Sequence, residues 1–393
     1  MPVKYELVIK GGRVVDPQQG IDDDRDVAIT GDRVAAVDPT IDAGPETEVI
    51  DARGKLVTPG LIDVHVHVYS GVSHYGIEPD PHCLRQGATT VYDAGSSGAD
   101  TFAGFKKYVI DVSATRIKAY LHISSQGMLN PDIGELTDLR YADVARAVRM
   151  CEENRDDIVG IKIRMSRALV GENGLESLKR AREVCDATGL SLMVHPNGSP
   201  VSFARIMDEL RAGDVCTHCY HSSDTGILDD DDKVRPEARR AAARGVLFDV
   251  GHGQGSFVYS VADAALAQDF RANTISSDLH RYNLHGPVYS LATTASKFLQ
   301  LGWTLNEVIE KVTSGPARTR GVLGKVGTLK PGACADVAIF ELQTGTFEFR
   351  DAKDELRIGE QKLVPVLTLR DGKPYAPDDG HPHHPHQPHH HHH

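Results

Sequence analysis

Short runs in which apolar and polar residues alternate fill the first 58 positions: YELVIKGGRVVD, DVAITGDRVAAVD and EVIDARGKLVTP, punctuated by Gly-Gly and Gly-Asp steps. Alternation with period two marks strands, and such glycine steps suit the turns between them. The same texture returns in GTLKPGACADVAIFEL and KLVPVLTLRDGKPY near the other end. The two ends are therefore expected to pair into one small β-sandwich domain, residues 1–58 with 322–378. Between them, apolar β-rich runs at 61–68, 88–93, 117–123, 158–165, 190–195, 214–218, 246–250 and 273–278 alternate with helical stretches. In YADVARAVRMCEENRD and GLESLKRAREVCDATG the apolar residues recur at three and four, as on one face of a helix. Eight such strand-then-helix units predict an α/β fold, a (β/α)8 TIM-type barrel over 59–321.

Length agrees with two domains, since 393 residues exceed the roughly 250 that one barrel needs. A net charge of −12 excludes a nucleic-acid backbone as partner, because that binding rests on clustered Lys and Arg. The opening MPVKYELVIK lacks a long apolar stretch, and no run approaches the roughly 20 residues that span a bilayer. The expectation is a cytoplasmic protein with no membrane partner, acting on a small molecule, with a homo-oligomer among its expected forms. Six cysteines in so long a chain form no disulfide framework. The string CTHCYH is not read as a zinc knuckle, because Cys216 and Cys219 are three apart on a strand and point to opposite faces. Residues 379–393, ending HPHHPHQPHHHHH, read as a disordered tail or purification tag.

The candidate chemistry lies at strand ends. In GLIDVHVHV, Ile62, Val64, Val66 and Val68 fall on one face and Asp63, His65 and His67 on the other, so two imidazoles can face the barrel axis and share an ion. In DIVGIKIRMS, Lys162 and Arg164 face opposite to Ile161, Ile163 and Met165. An ammonium among dications would be repelled, whereas a carbamate formed from Lys162 and CO2 is an anion whose two oxygens bridge two ions. His195 and His218 each stand where a strand gives way to a loop, the catalytic end of such barrels. Asp278 ends the eighth run as a ligand and proton acceptor. Taken singly, each has an ordinary structural reading: a polar strand face for His65 and His67, a snorkelling amine for Lys162, a core histidine for His195 or His218, a helix cap for Asp278. Arg164 reads equally as a substrate-carboxylate contact and as an ion pair within the barrel. The glycine-rich VLFDVGHGQGSF brings His252 as a second substrate contact, and His221 is left as a loop residue that either meets substrate or lies on the surface.

These residues resemble the amidohydrolase superfamily: GLIDVHVHV after TPG, then Lys162, His195, His218 and Asp278, follow its binuclear pattern in order. VVDP, AITGDRVAAV and GTLKPGACADVAIFE are similar to that superfamily's composite β-domain, so the resemblance spans nearly the whole chain. VYDAGSSGADTF, GIKIRMS, FDVGHGQGSF and SSDLH look like the dihydroorotase-like amidohydrolase/deacetylase subgroup, which implies removal of acetyl groups from acids such as acetylated α-hydroxy acids, acetyl mandelate among them. The resemblance implies that His65, His67 and Asp278 bind the more buried of two divalent ions, His195 and His218 the more exposed, with Lys162 bridging. The LHRYN that follows Asp278 departs from authentic dihydroorotases, which makes cyclic amide hydrolysis the alternative.

The expected reaction is hydrolysis of an amide or acyl ester by a hydroxide shared between two ions roughly 3.5–4 Å apart, with Asp278 first base and then acid. Zinc suits imidazole and carboxylate ligands, though manganese and cobalt fit the same set. Deamination on a single ion is a weaker reading, because it gives Lys162 no bridging role. Metal storage is weaker still, because it needs no proton acceptor.

Overall fold

A computed structural model describes residues 4–385. Five strands open the chain, β1 (Leu7–Asp16), β2 (Ile21–Thr30), β3 (Arg33–Asp38), β4 (Glu48–Asp51) and β5 (Leu56–Pro59). Seven follow in the middle: β6 (Leu61–Val66), β7 (Ala88–Ala94), β8 (Arg116–His122), β9 (Ile158–Arg164), β10 (Ser191–His195), β11 (Val215–Cys216) and β12 (Leu247–Phe248). Three close it, β13 (Val337–Arg350), β14 (Leu356–Arg370) and β15 (Lys373–Tyr375).

The two ends meet in one eight-stranded sheet of order β15-β14-β13-β5-β1-β2-β3, with β4 also paired to β1. β5 is the join, parallel to β1 and antiparallel to β13. Ile9, Val14, Val27, Val57, Val337 and Leu369 bury one core against this sheet.

The middle strands form a curled parallel sheet in sequence order, β6 through β12. Its helices start and stop where the sequence says they should. Asp143 caps Val144–Glu153 by accepting from the Arg146 amide, and Gly189, at φ +74, ends Gly174–Thr188 in a left-handed conformation that only glycine adopts cheaply. Three expectations need correcting. Residues 273–278 are not a continuous eighth strand; this segment and the residue after it touch both edges of the sheet by isolated bridges, Asp249 with Thr274 and Val66 with Leu279. Asp278 takes φ +50, which leaves the extended conformation, while Thr274, Ser276 and Ser277 bond Asp249 and Asp63 through their hydroxyls.

The alternation along β6 also fails. A register shift between Asp63 and Val66 puts Ile62 and Val64 into the cluster with Tyr92, Tyr120 and Met193, on the face that carries Lys162, while Val66 and Val68 join the larger outer core. A bulge of this kind bends the strand and re-aims its side chains.

The segment expected as an unfolded tail is packed in part. His384 stacks 5.0 Å from Phe349 and its Nε2 meets the Glu348 carbonyl at 2.7 Å, while His381 lies against His82. Residues 386–393 lie outside the described residues. Among the described residues no helix is long and apolar enough to cross a membrane.

Candidate metal centre

The carboxyl ends of the middle strands open on a cavity of about 300 Å³ whose wall includes all six residues expected as ligands, His65, His67, Lys162, His195, His218 and Asp278. His65 and His67 come from the bulged end of β6 and its exit, Lys162 from β9, His195 from the last position of β10. His218, just past β11, and Asp278 both adopt positive φ, +58 and +50. For non-glycine residues that conformation is strained, and such strain concentrates where side chains must be aimed.

The hydrogen bonds fix which ring nitrogens face inward. Thr217 donates its hydroxyl proton to Asp249 Oδ2 at 2.9 Å, so its oxygen accepts from His65 Nδ1, also 2.9 Å away. Burial pushes the His65 imidazole down to about 3, so it is neutral and carries a lone pair on Nε2. That Nε2 and His67 Nε2 each stand 3.1 Å from Asp278 Oδ1. Asp278 Oδ1 is buried and has no hydrogen-bond partner. A lone pair and a carboxylate at this distance repel unless a cation lies between them. The three donor atoms, all within 4.8 Å of one another, have the composition of a divalent-metal site.

A second set of donors lies beside the first. His218 Nδ1 donates to the Gly251 carbonyl at 2.6 Å, which turns Nε2 to within 3.9 Å of Asp278 Oδ2. Ser166 gives its proton to Asn197 O and accepts from His195 Nε2, leaving His195 Nδ1 an acceptor, buried and without partner. Lys162 Nζ is buried without a partner as well, and burial lowers its pKa to about 8. The chain binds a divalent metal cofactor, and His65, His67 and Asp278 have the donor atoms for one.

The outer partners hold the ligands in place. Asp249 accepts from Thr217, Thr274 and Ser276, and His67 Nδ1 meets Ser96 Oγ at 2.9 Å. Partners of this kind orient a metal-binding imidazole and raise its basicity. Thr217→Val keeps the side-chain shape and removes the hydroxyl; metal affinity, read by competition with a chelating indicator, is expected to fall about 10- to 100-fold.

Arg164 lines the same cavity but is already engaged. Its Nε and Nη2 bind Glu135, its Nη1 donates to Tyr75 Oη at 3.0 Å, and its guanidinium lies 5.1 Å over the Tyr75 ring. Glu135 also accepts from His122 Nε2 at 2.7 Å. The ion-pair reading of Arg164 is therefore realised, and its remaining N–H groups are what a substrate could use. His252 is not on the cavity wall. It is fully buried, donating from Nδ1 to Gly253 O at 2.8 Å and accepting from Lys297 at 2.7 Å, because the glycine-rich turn rolls its ring inward. Gln254, Gly255 and Ser256 face the cavity in its place. His221 is likewise buried and off the wall, its Nδ1 accepting from the Ser223 amide. Cys216 and Cys219 are free, buried thiols.

One glycine of this turn, Gly253, approaches Asp278 itself. A Cβ on Gly253, whose φ is +58, would stand 2.5 Å from Asp278 Oδ2. Gly253→Ala is expected to push the carboxylate aside and lower kcat about 100-fold, measured in steady state with metal content checked.

Sequence reasoning passed over Tyr75, Ser166, Asn197 and His280 on the wall, and Thr217, Asp249 and Glu135 behind it. His280 carried a signal, two residues after Asp278 in SSDLH, as did Thr217 beside His218. Tyr75 and Glu135 sit on loops and carried none.

The Amidohydrolase family model matches residues 56–374. A deacetylase of Agrobacterium fabrum is 34% identical over 84% of this chain and 82% of its own length. A deacetylase of Enterococcus faecalis is 35% identical over 94% of this chain and 99% of its own. A solved structure described as an adenine deaminase has a TM-score of 0.88 at 35% identity, covering 95% of this chain and all of that one (100%). The chain belongs to the Amidohydrolase family and is a hydrolase.

Proposed function

We propose that this chain is a binuclear metal-dependent deacetylase that removes the acetyl group from a small N-acyl or O-acetyl carboxylic acid. The observation that carries it is a second donor set, the unpartnered His195 Nδ1 and Lys162 Nζ with His218 Nε2, next to the His65, His67 and Asp278 group. Deacetylases similar along most of both chains support the acetyl group as the part removed. The reading takes the curled sheet with its bridging segment as a (β/α)8 barrel and the paired ends as a β-sandwich. Six free thiols suit a reducing cytoplasmic setting.

Bound at these donors, divalent ions lower the pKa of a water toward neutrality and polarise an acyl carbonyl. Zinc suits four imidazoles and a carboxylate. Lys162 as its carbamate would offer two anionic oxygens to these ions: an amine lowered to about 8 is neutral often enough near neutral pH to attack CO2, and the carbamic acid formed releases its proton to solvent. Asp278, ionised, takes the proton from the attacking water and returns it to the departing alkoxide or amine. Arg164, fixed by Glu135 and Tyr75, presents its remaining N–H groups to the substrate carboxylate.

A panel of N-acetyl amino acids, O-acetylated hydroxy acids, cyclic imides and adenine tests this, with metal analysis on protein lacking residues 386–393. Acetate release with two ions per chain is expected. Ring opening of a cyclic imide instead would place the chain with cyclic amidohydrolases. Ammonia release from adenine with one ion would establish the second reading, deamination, which the adenine deaminase likeness favours and Lys162 opposes.

A further inference from the structure

The glycine-rich turn after β12 is held by a buried cation that forms no ion pair. Lys297, in the helix Leu291–Gln300, is fully buried. Its Nζ donates to His252 Nε2 at 2.7 Å, to Pro287 O at 2.9 Å and to Arg350 O at 2.7 Å. Three acceptors use all three ammonium protons, and they come from three segments: the turn, the loop before the helix, and the end of β13 in the terminal sheet. Burying an ammonium among neutral partners is costly, and burial drives this one down to about 7 despite Asp351 nearby. Packing alone does not call for a lysine, since methionine fills a similar volume without a charge. What the ammonium holds must account for it.

His252 passes the anchoring on. With Nε2 accepting from Lys297, its Nδ1 donates to Gly253 O. The His252 and Gly253 amides donate to Ser276 O and Ser277 O at 3.1 and 3.0 Å, the two residues before Asp278. Gly253 lies against the Asp278 carboxylate, and Gln254, Gly255 and Ser256 continue as cavity wall, Ser256 Oγ accepting from Asn197 Nδ2 at 3.0 Å.

We propose that Lys297 is a positioning residue for the hydrolysis: through His252 its ammonium fixes the 251–256 turn against Asp278 and sets the wall that meets the substrate. The choice of assay substrate, but not the anchoring, rests on the deacetylase reading. Two variants of the full chain test it, Lys297→Met and His252→Phe, the latter because the His252 ring already packs 4.9 Å from Phe257. Amide hydrogen exchange reads the turn without substrate. The His252 and Gly253 amides are expected to exchange at least about tenfold faster in both variants, with β9 unaffected. On an acetylated acid that the wild type turns over, kcat/KM is expected to fall about 10- to 100-fold at unchanged metal content. The double variant should be no slower than the slower single one, because both act through one bond.

A lysine serving stability alone would lower the thermal midpoint while leaving turn exchange, kcat and KM of the folded enzyme as they were. That result overturns the proposal, as does an additive loss in the double variant. If Lys297→Met does not fold, His252→Phe decides by the same readouts. If the wild type cleaves no acetylated acid, the deacetylase reading fails, and exchange in the variants still decides whether Lys297 holds the turn.

Discussion

On the binuclear reading, Lys162→Ala is expected to reduce turnover by on the order of 10³-fold or more and to lower bound metal from two ions toward one per chain, because it removes the carbamate oxygens beside His195 and His218 and leaves Asp278 as the one anionic side chain on the wall. The lysine stem is clamped: a Cβ on Gly95 would come within 2.5 Å of Lys162 Cγ, and Met193 and His122 are its neighbours in register. The amine therefore cannot swing out to solvent, which disposes of the snorkelling alternative. Metal analysis beside steady-state kinetics checks the loss, and full turnover in the alanine variant would sink the bridging role. The carbamate has its own pH signature. Lowering of the Lys162 pKa to about 8 means the amine is mostly protonated below that value and mostly neutral above it. At fixed dissolved CO2, reactivation of metal-free, decarboxylated protein should be faster at a pH above 8 than below 7, followed by the carbamate carbon signal with labelled CO2.

Asp278→Asn is expected to cut kcat about 10²- to 10⁴-fold while retaining part of the metal. The carboxamide keeps an oxygen near His65 and His67, so ligation survives in weakened form, but it cannot take a proton from water and hand it on. The change is nearly isosteric, so Gly253 is not displaced and the loss reports on proton transfer. A kcat within twofold of wild type at equal metal content would exclude the carboxylate as base.

How much of this was legible depends on how far along the chain each partner lies. Lys162 stands out because Ile161 and Ile163 flank it in a strand, so its inward direction follows from period two alone. His195, at a strand end, is legible for a similar reason. The bulge in β6 is not: it lies where Asp63 meets Ser277, 214 residues away, and between Asp63 and Val66 no glycine or proline marks the change of face. Residues 273–278 looked like a strand because Ile275 and its neighbours fit one, and their backbone does bond to residues 248–253 and to His65, but the pairing is split between two edges and reaches only isolated bridges. His252 was misplaced because its partner, Lys297, is 45 residues on, inside a helix whose pattern otherwise reads as plain core. Arg164 was balanced between two roles because Glu135, which engages it, comes from a loop.

Asp249 binds hydroxyls on both sides of the place where the parallel sheet meets its bridging segment, and through Thr217 it also aims His65. Closing the ring and capturing the cation are therefore linked equilibria, each drawing the other forward. A cation held between His65 and Asp278 would also join β6 to the bridging segment, so metal binding would stabilise that seam as well as the site.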